Sequence, residues 1–182
     1  MLKILVPGRR ELWDERTEQF IITNEKDVVL RLEHSLISVS KWEAKYHVSF
    51  LNSEKTDAQI LDYIKCMTLN PEVDDSVYSR LTVDNLRAIN DYIADPMTAT
   101  TVNDRRVNRR MNEIVTSELI YYWMIAYGIP AEFEKWHINR LIMLIRVCAA
   151  KNEPPKKRSQ KDIMAEYRAI NAANKAKFNT RG

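Results

Sequence analysis

The sequence predicts a mainly α protein: a compact helical domain with a small N-terminal β-hairpin or sheet and a basic C-terminal tail. Three observations carry this reading. Glycine and proline are scarce, 3 and 6 among 182 residues, too few for a turn-rich all-β fold. Apolar residues recur at helical spacing from residue 35 onward, whereas β-prone runs are confined to the first 33. Charge also divides along the chain. Residues 1–150 carry 19 basic and 22 acidic side chains, a balance of −3; residues 151–182 carry 9 basic and 3 acidic, a balance of +6. The expected organisation is a β-rich segment at 1–33 packed on the body, a helical domain at 34–150 and a basic, partly mobile tail at 151–182.

Taken in order, Ile4–Val6, Phe20–Ile22 and Val28–Leu32 are short β-prone runs, with turn signals at Pro7-Gly8 and Asn24–Asp27. A hairpin alone is marginal in water, so this segment must lean on the helices. Ser35 is placed to cap a helix whose stripe is Leu36, Val39, Trp42 and Tyr46. Thr56-Asp-Ala-Gln59 reads as a capping box before a stripe of Ile60, Leu61, Ile64 and Met67, ended by Asn70-Pro71. Asp75 or Ser76 begins a short helical turn. Thr82 caps a further helix with Val83, Leu86, Ile89 and Ile93 on one face, stopped at Asp95-Pro96. Thr98–Arg110 is polar and aperiodic, a long exposed loop.

Two strong helices are expected next. Met111–Tyr127 is apolar around much of its circumference, the mark of a helix central to a core or covered by a partner. Gly128 suits the position after a helix and Pro130 the first turn of another, so Gly128-Ile129-Pro130 predicts a tight turn. The second helix carries Glu132 and Glu134 at its start, Arg146 and Lys151 near its end, and a stripe of Phe133, His137, Leu141, Leu144 and Cys148. Together they predict an αα-hairpin. Pro154-Pro155 opens the tail. There Ser159–Asp162 is a second possible capping box, and Ile163, Met164, Tyr167 and Ile170 form a short amphipathic stripe before an Ala, Asn and Lys run.

Chemistry is sparse. Hydrophobic residues make up 45% and charged residues 29%, ordinary for a globular chain. Cys66 and Cys148 sit in apolar stretches without paired spacing, which reads as small hydrophobes in a reducing compartment. Met1–Gly8 is too soon interrupted for a signal peptide, and no apolar run reaches the roughly 18 residues of a membrane span. His34, His47 and His137 share no metal-ligand spacing, and no nucleophile elbow or phosphate loop is present. The expectation is a protein that holds other proteins, not an enzyme, without cofactor or metal.

Two groups of candidate contacts stand out. Tyr121, Tyr122, Trp123, Tyr127, Phe133 and Trp136 crowd one stretch. Consecutive Tyr121-Tyr122-Trp123 cannot all face one way at 100° spacing, so at least one turns from the local core toward another layer or a partner. Arg105, Arg106, Arg109 and Arg110 in the loop, with Lys156, Lys157 and Arg158 in the tail, form basic segments. They lack interleaved aromatics for base stacking, which favours solvated arms or contact with an acidic protein over nucleic acid. A small regulator that binds nucleic acid through this loop and tail is the main rival reading. A structural component of a larger assembly and an enzyme with an unfamiliar site come after it.

Several segments resemble the tail assembly chaperones of long-tailed bacteriophages. They are Glu33–Leu36, Ser40–Glu43, Asp62–Met67, Ile89–Ile93, Pro96–Thr100, Glu113–Met124, Trp136–Leu141 and Pro154–Lys156, and Glu113–Met124 is the most specific. The resemblance spans roughly residues 30–182. It implies a protein of the infected cell's cytoplasm, absent from the mature virion. Such a protein binds the tape measure protein, a long helical aggregation-prone chain, keeps it soluble and promotes tail tube assembly around it. It implies many copies on one client, or a homo-oligomer. Many members also exist in a longer, frameshifted form that can reach the tail tube protein, and an end at Asn179–Gly182 is similar to the short form. No catalytic or cofactor residue is implied.

Overall fold

The computed structural model describes residues 1–16, 18–101, 114–152 and 160–178. The protein is mainly α with small antiparallel N-terminal sheets, and it divides into two compact units, Met1–Lys151 and Asn152–Gly182.

The first unit begins with four strands: β1 (Leu2–Val6), β2 (Arg9–Asp14), β3 (Gln19–Asn24) and β4 (Val28–Leu32). β1 pairs with β4 and β2 with β3, both antiparallel. β2 was not among the expected runs. Its Arg9, Arg10 and Glu11 obscure any apolar alternation, and only its register against β3 (Trp13 opposite Phe20) defines it. The two ladders meet where Glu25 N–H donates to the Gly8 carbonyl (3.1 Å) and Gly8 N–H to the Asp27 carboxylate (2.7 Å). A Cβ on Gly8 would lie 2.0 Å from the Glu25 carbonyl oxygen, so the crossing requires glycine.

In the β1–β4 sheet Ile4, Val6, Leu30 and Leu32 are buried and Lys3, Leu5, Val29 and Arg31 are exposed, the period of two of a half-covered sheet. The far edge of β4 is also occupied. Leu69 N–H donates to the Arg31 carbonyl, and the Asn70 side chain takes the Arg31 N–H and gives to the Val29 carbonyl. The Asn70 amide thus stands in for a strand residue.

The helices of this unit are α1 (Leu36–Tyr46), α2 (Asp57–Met67), α3 (Asp75–Ser79), α4 (Val83–Ala94), α5 (Ser117–Ala126) and α6 (Ile138–Asn152), with a 3-10 helix at Ala131–Lys135. Three of the expected caps form, and Ser159 of the fourth lies outside the described residues. Ser35 accepts from Ser38 N–H, and Thr56 with Gln59 makes a reciprocal capping box, as does Thr82 with Asn85. Asp74 caps α3.

The core joins the inner sheet face to Leu36, Val39 and Trp42 of α1, Ile64 and Met67 of α2, Ile89 of α4, Ile120 and Met124 of α5, and Leu141 and Ile145 of α6. Trp42 is fully covered, and its indole N–H donates to the Gln59 carbonyl at 3.0 Å.

Two predicted stripes are corrected. On α2 Ile60 is exposed, and Tyr63 takes the inward place, its hydroxyl 2.5 Å from His34 Nδ1. On α4 Val83 and Leu86 are exposed, and Tyr92 turns inward beside Ile89 because its hydroxyl donates to Glu33 at 2.6 Å.

The predicted αα-hairpin does not form as expected. α5 begins at Ser117, not Met111. The following segment is not one helix from Pro130, because the 3-10 helix ends at Lys135 and His137 pairs as an isolated bridge with Ser35. Ile138 N–H donates to the His34 carbonyl at 2.8 Å, stitching the chain to the start of α1 before α6 begins. Both α5 and the 3-10 helix lie against α1.

The second unit contains α7 (Gln160–Phe178). This helix is longer than the short stripe predicted, because the Ala, Asn and Lys run after Ile170 holds no glycine or proline to end it. Met164, Tyr167 and Ile170 are exposed along it.

Candidate partner-binding surface

The candidate surface is built on α5, and the local sequence fixes both of its ends. Thr116 Oγ1 accepts from Leu119 N–H at 3.4 Å. The preceding residues are held from the side: Val115 N–H donates to Asn52 (3.0 Å) and Ser49 Oγ to the Val115 carbonyl (2.5 Å). At the far end Gly128 has φ of 64°, with Gly128 N–H bonded to the Ile125 carbonyl and Ile129 N–H to the Met124 carbonyl. These two bonds make a Schellman close, and Ile129 packs on the core as that motif favours.

A buried carboxylate sets the rotation of the helix. Glu43 of α1 accepts from Ser117 N–H and from Phe50 N–H, both at 2.7 Å. Ser117, Ile120 and Met124 consequently face inward, and the opposite arc, Glu118, Tyr122 and Ile125, faces solvent. Tyr122 is 64% and Ile125 80% exposed, a large apolar display for residues of a well-anchored helix. Ile114, just before the helix, is exposed as well.

The predicted aromatic cluster divides. Tyr121, Trp123, Tyr127, Phe133 and Trp136 are half-buried, and the first four pack against the core. Tyr121 donates to Glu134 on the 3-10 helix at 2.9 Å, and burial with this carboxylate pushes its hydroxyl pKa up to about 12. Phe133 and Trp136 stack with centroids 3.8 Å apart, and the Arg140 guanidinium lies 4.1 Å from the Trp136 ring centroid. Only Tyr122 of the six points fully outward. Ile125, the most exposed large apolar residue of α5, was not among the sequence candidates. It lies three residues from Tyr122, so helical spacing alone carried the signal. The basic candidates Arg105, Arg106, Arg109, Arg110, Lys156, Lys157 and Arg158 lie outside the described residues.

The first unit also contains a buried polar seam around His34 and His137. The rings of His34 and His137 meet edge-on at 4.9 Å, His34 also abuts Phe50 and Tyr63, and His137 Nε2 bonds the Tyr92 carbonyl at 2.9 Å. A carbonyl only accepts, so Nε2 carries the proton, and Nδ1 of the neutral ring is buried without a partner. Burial first, and the facing His137 second, lower the His34 pKa to about 3; burial also lowers that of His137. Among the described residues no three His, Cys, Asp or Glu side chains gather in a metal-holding arrangement, and no helix is long and apolar enough to cross a membrane. Cys66 and Cys148 are both half-buried free thiols.

Comparison with protein-family models, with curated proteins and with solved structures finds no match to this chain.

Proposed function

We propose that this chain is a tail assembly chaperone that binds the tape measure protein, keeps it soluble and promotes tail tube assembly around it. The observation that carries the reading is the outward apolar arc of α5, Tyr122 and Ile125, on a helix whose position is fixed by Glu43 and Gly128. A rigid, exposed aromatic and aliphatic pair suits the apolar stripe of a client helix, by helix-on-helix packing. It falls within the Glu113–Met124 stretch and its continuation, where the resemblance to such chaperones is most specific. The exposed Met164, Tyr167 and Ile170 stripe of α7 offers a second apolar strip of the same kind. Many copies on one long client would combine small contacts through multivalency.

On this reading the protein acts in the cytoplasm of the infected cell, leaves before the virion is complete, and performs no catalysis. Co-expression with the tape measure protein of the same phage tests it. The partner becomes soluble and co-purifies if the reading holds. A partner that stays insoluble beside the folded chain contradicts it.

A further inference from the structure

α7 carries an uncovered apolar stripe within a definite pattern of charge and amide groups. Met164, Tyr167, Ile170 and Phe178 are 60%, 61%, 48% and 65% exposed. Steps of three and four residues put Met164, Tyr167, Asn171, Asn174 and Phe178 in one line, with Ile170 beside it. At 1.5 Å per residue the line is about 21 Å long.

Between Met164 and Phe178 the basic residues are Arg168, Lys175 and Lys177, and Glu166 is the single acidic one, a balance of +2. Lys161 and Asp162, before this stretch, offset each other. Arg168 and Lys175 stand seven residues apart, so both flank the line on the same side. Glu166 and Lys177 flank it on the other side, next to Ile170. The surface opposite the line is mostly alanine: Ala165, Ala169, Ala172 and Ala176.

This pattern discriminates among the surfaces that could cover the stripe. Lipid would take the apolar side chains but leave the Asn171 and Asn174 amides in hydrocarbon without hydrogen-bond partners. A second copy of α7 would bring +2 against +2. An acidic helix meets both demands. Its carboxylates accept hydrogen bonds from the asparagine amides, and they pair with Arg168 and Lys175 along the flank.

We propose that the stripe of α7 is a docking site for an acidic amphipathic helix of another protein. The partner's apolar residues pack on Met164, Tyr167, Ile170 and Phe178, and its Asp or Glu residues line the Arg168 and Lys175 side. That this helix is a segment of the tape measure protein rests on the chaperone reading; the chemistry of the docking helix does not. The flanking charges choose among client helices that all have apolar stripes, which an apolar arc alone cannot do.

Fluorescence anisotropy with the full chain tests this, using two labelled amphipathic peptides of matching length. Both have a leucine stripe; one is flanked by glutamate and the other by lysine. The wild type is expected to bind the glutamate peptide at least tenfold more tightly, with the gap narrowing at high salt. Tyr167→Gln with Ile170→Gln should weaken that binding at least tenfold. Arg168→Glu with Lys175→Glu should reverse the preference while circular dichroism shows α7 still helical. If that variant loses helix, Arg168→Gln with Lys175→Gln replaces it and must weaken binding of the glutamate peptide at least threefold. Equal binding of the two peptides, or binding of neither, overturns the proposal. Capture by phosphatidylglycerol vesicles in preference to the glutamate peptide also overturns it and assigns the stripe to lipid. Co-expression separates this inference from the chaperone reading. If the Arg168→Glu and Lys175→Glu variant solubilises the tape measure protein as well as the wild type does, the client is not on α7 and the chaperone reading stands. If the wild type binds the glutamate peptide but leaves the tape measure protein insoluble, the docking site stands and the chaperone reading falls.

Discussion

The Glu43 carboxylate of α1 accepts the Ser117 backbone N–H at 2.7 Å, and this contact seats the first turn of α5 on the body. The other carboxylate oxygen takes the Phe50 N–H at the same distance. Two buried backbone donors therefore depend on one side chain, and a negative charge sits where the helix dipole favours it. Glu43→Ala leaves both donors unpaired. At about 1–3 kcal/mol for each buried unsatisfied group, the loss should be on the order of 3 kcal/mol, read as a lower urea midpoint with an unchanged slope. Glu43→Gln should recover part of it, because its carbonyl still accepts one bond. An unchanged midpoint for Glu43→Ala would show that the capping contact does not hold α5.

The same contact shows what the sequence could reveal and what it could not. Ser35, Thr56 with Gln59, and Thr82 were legible as caps because each acts within three residues of itself. The rotation of α5 was not, because its sequence is apolar around most of the circumference and the inward arc is chosen by Glu43, 74 residues away. The expected continuous helix after Pro130 failed for a similar reason. The stripe Phe133, His137 and Leu141 has helical spacing, but the backbone at His137 pairs with Ser35 instead of closing a helical turn. On α4 periodicity could not separate Ile93 from its neighbour Tyr92, whose inward turn depends on the distant Glu33. The outer sheet face was not legible: Ile4–Val6 and Val28–Leu32 read as near-continuous apolar runs, and only their pairing sets Leu5 beside Val29 on the exposed side.

Stability should fall in mild acid. His34 has its folded-state pKa lowered to about 3, below the ordinary value of 6.5, and His137 is lowered as well. Between those limits the unfolded chain takes up a proton that the folded chain refuses. The stabilisation is therefore complete above about pH 6.5 and drains away as the pH drops toward 3. His34 should contribute a slope of up to about 1.4 kcal/mol per pH unit across that window, and His137 adds in the same direction. Urea unfolding at pH 7, 6 and 5 measures this. His34→Gln should flatten the profile, and a profile unchanged by that substitution would contradict the assignment.

Trp42 fills the centre of the first unit. Trp42→Ala removes a fully buried indole and strands the Gln59 carbonyl. The expected cost is about 3–5 kcal/mol. Thermal unfolding followed by circular dichroism should show a markedly lower midpoint or no cooperative transition.

Two glycines differ in what they demand. Gly8→Ala drives a methyl group into the Glu25 backbone, so the crossing of the two ladders must part. Gly128→Ala meets nothing within 4 Å and suffers only from φ of 64°. The Gly128 change should cost about 1 kcal/mol, and the Gly8 change more. Amide exchange should quicken around Gly8 and Glu25 in the first variant and at the end of α5 in the second.

The most direct test of the central claim is the soluble yield of the tape measure protein when co-expressed with the wild type or with Tyr122→Gln and Ile125→Gln together. Both residues are solvent-facing, so the variant should unfold at the same urea concentration as the wild type, within about 0.5 kcal/mol. The account predicts a soluble, co-purifying partner with the wild type and a loss of at least tenfold with the variant. A partner kept equally soluble by the variant would contradict the assignment of the client to α5. A partner left insoluble by the folded wild type would contradict the chaperone reading itself.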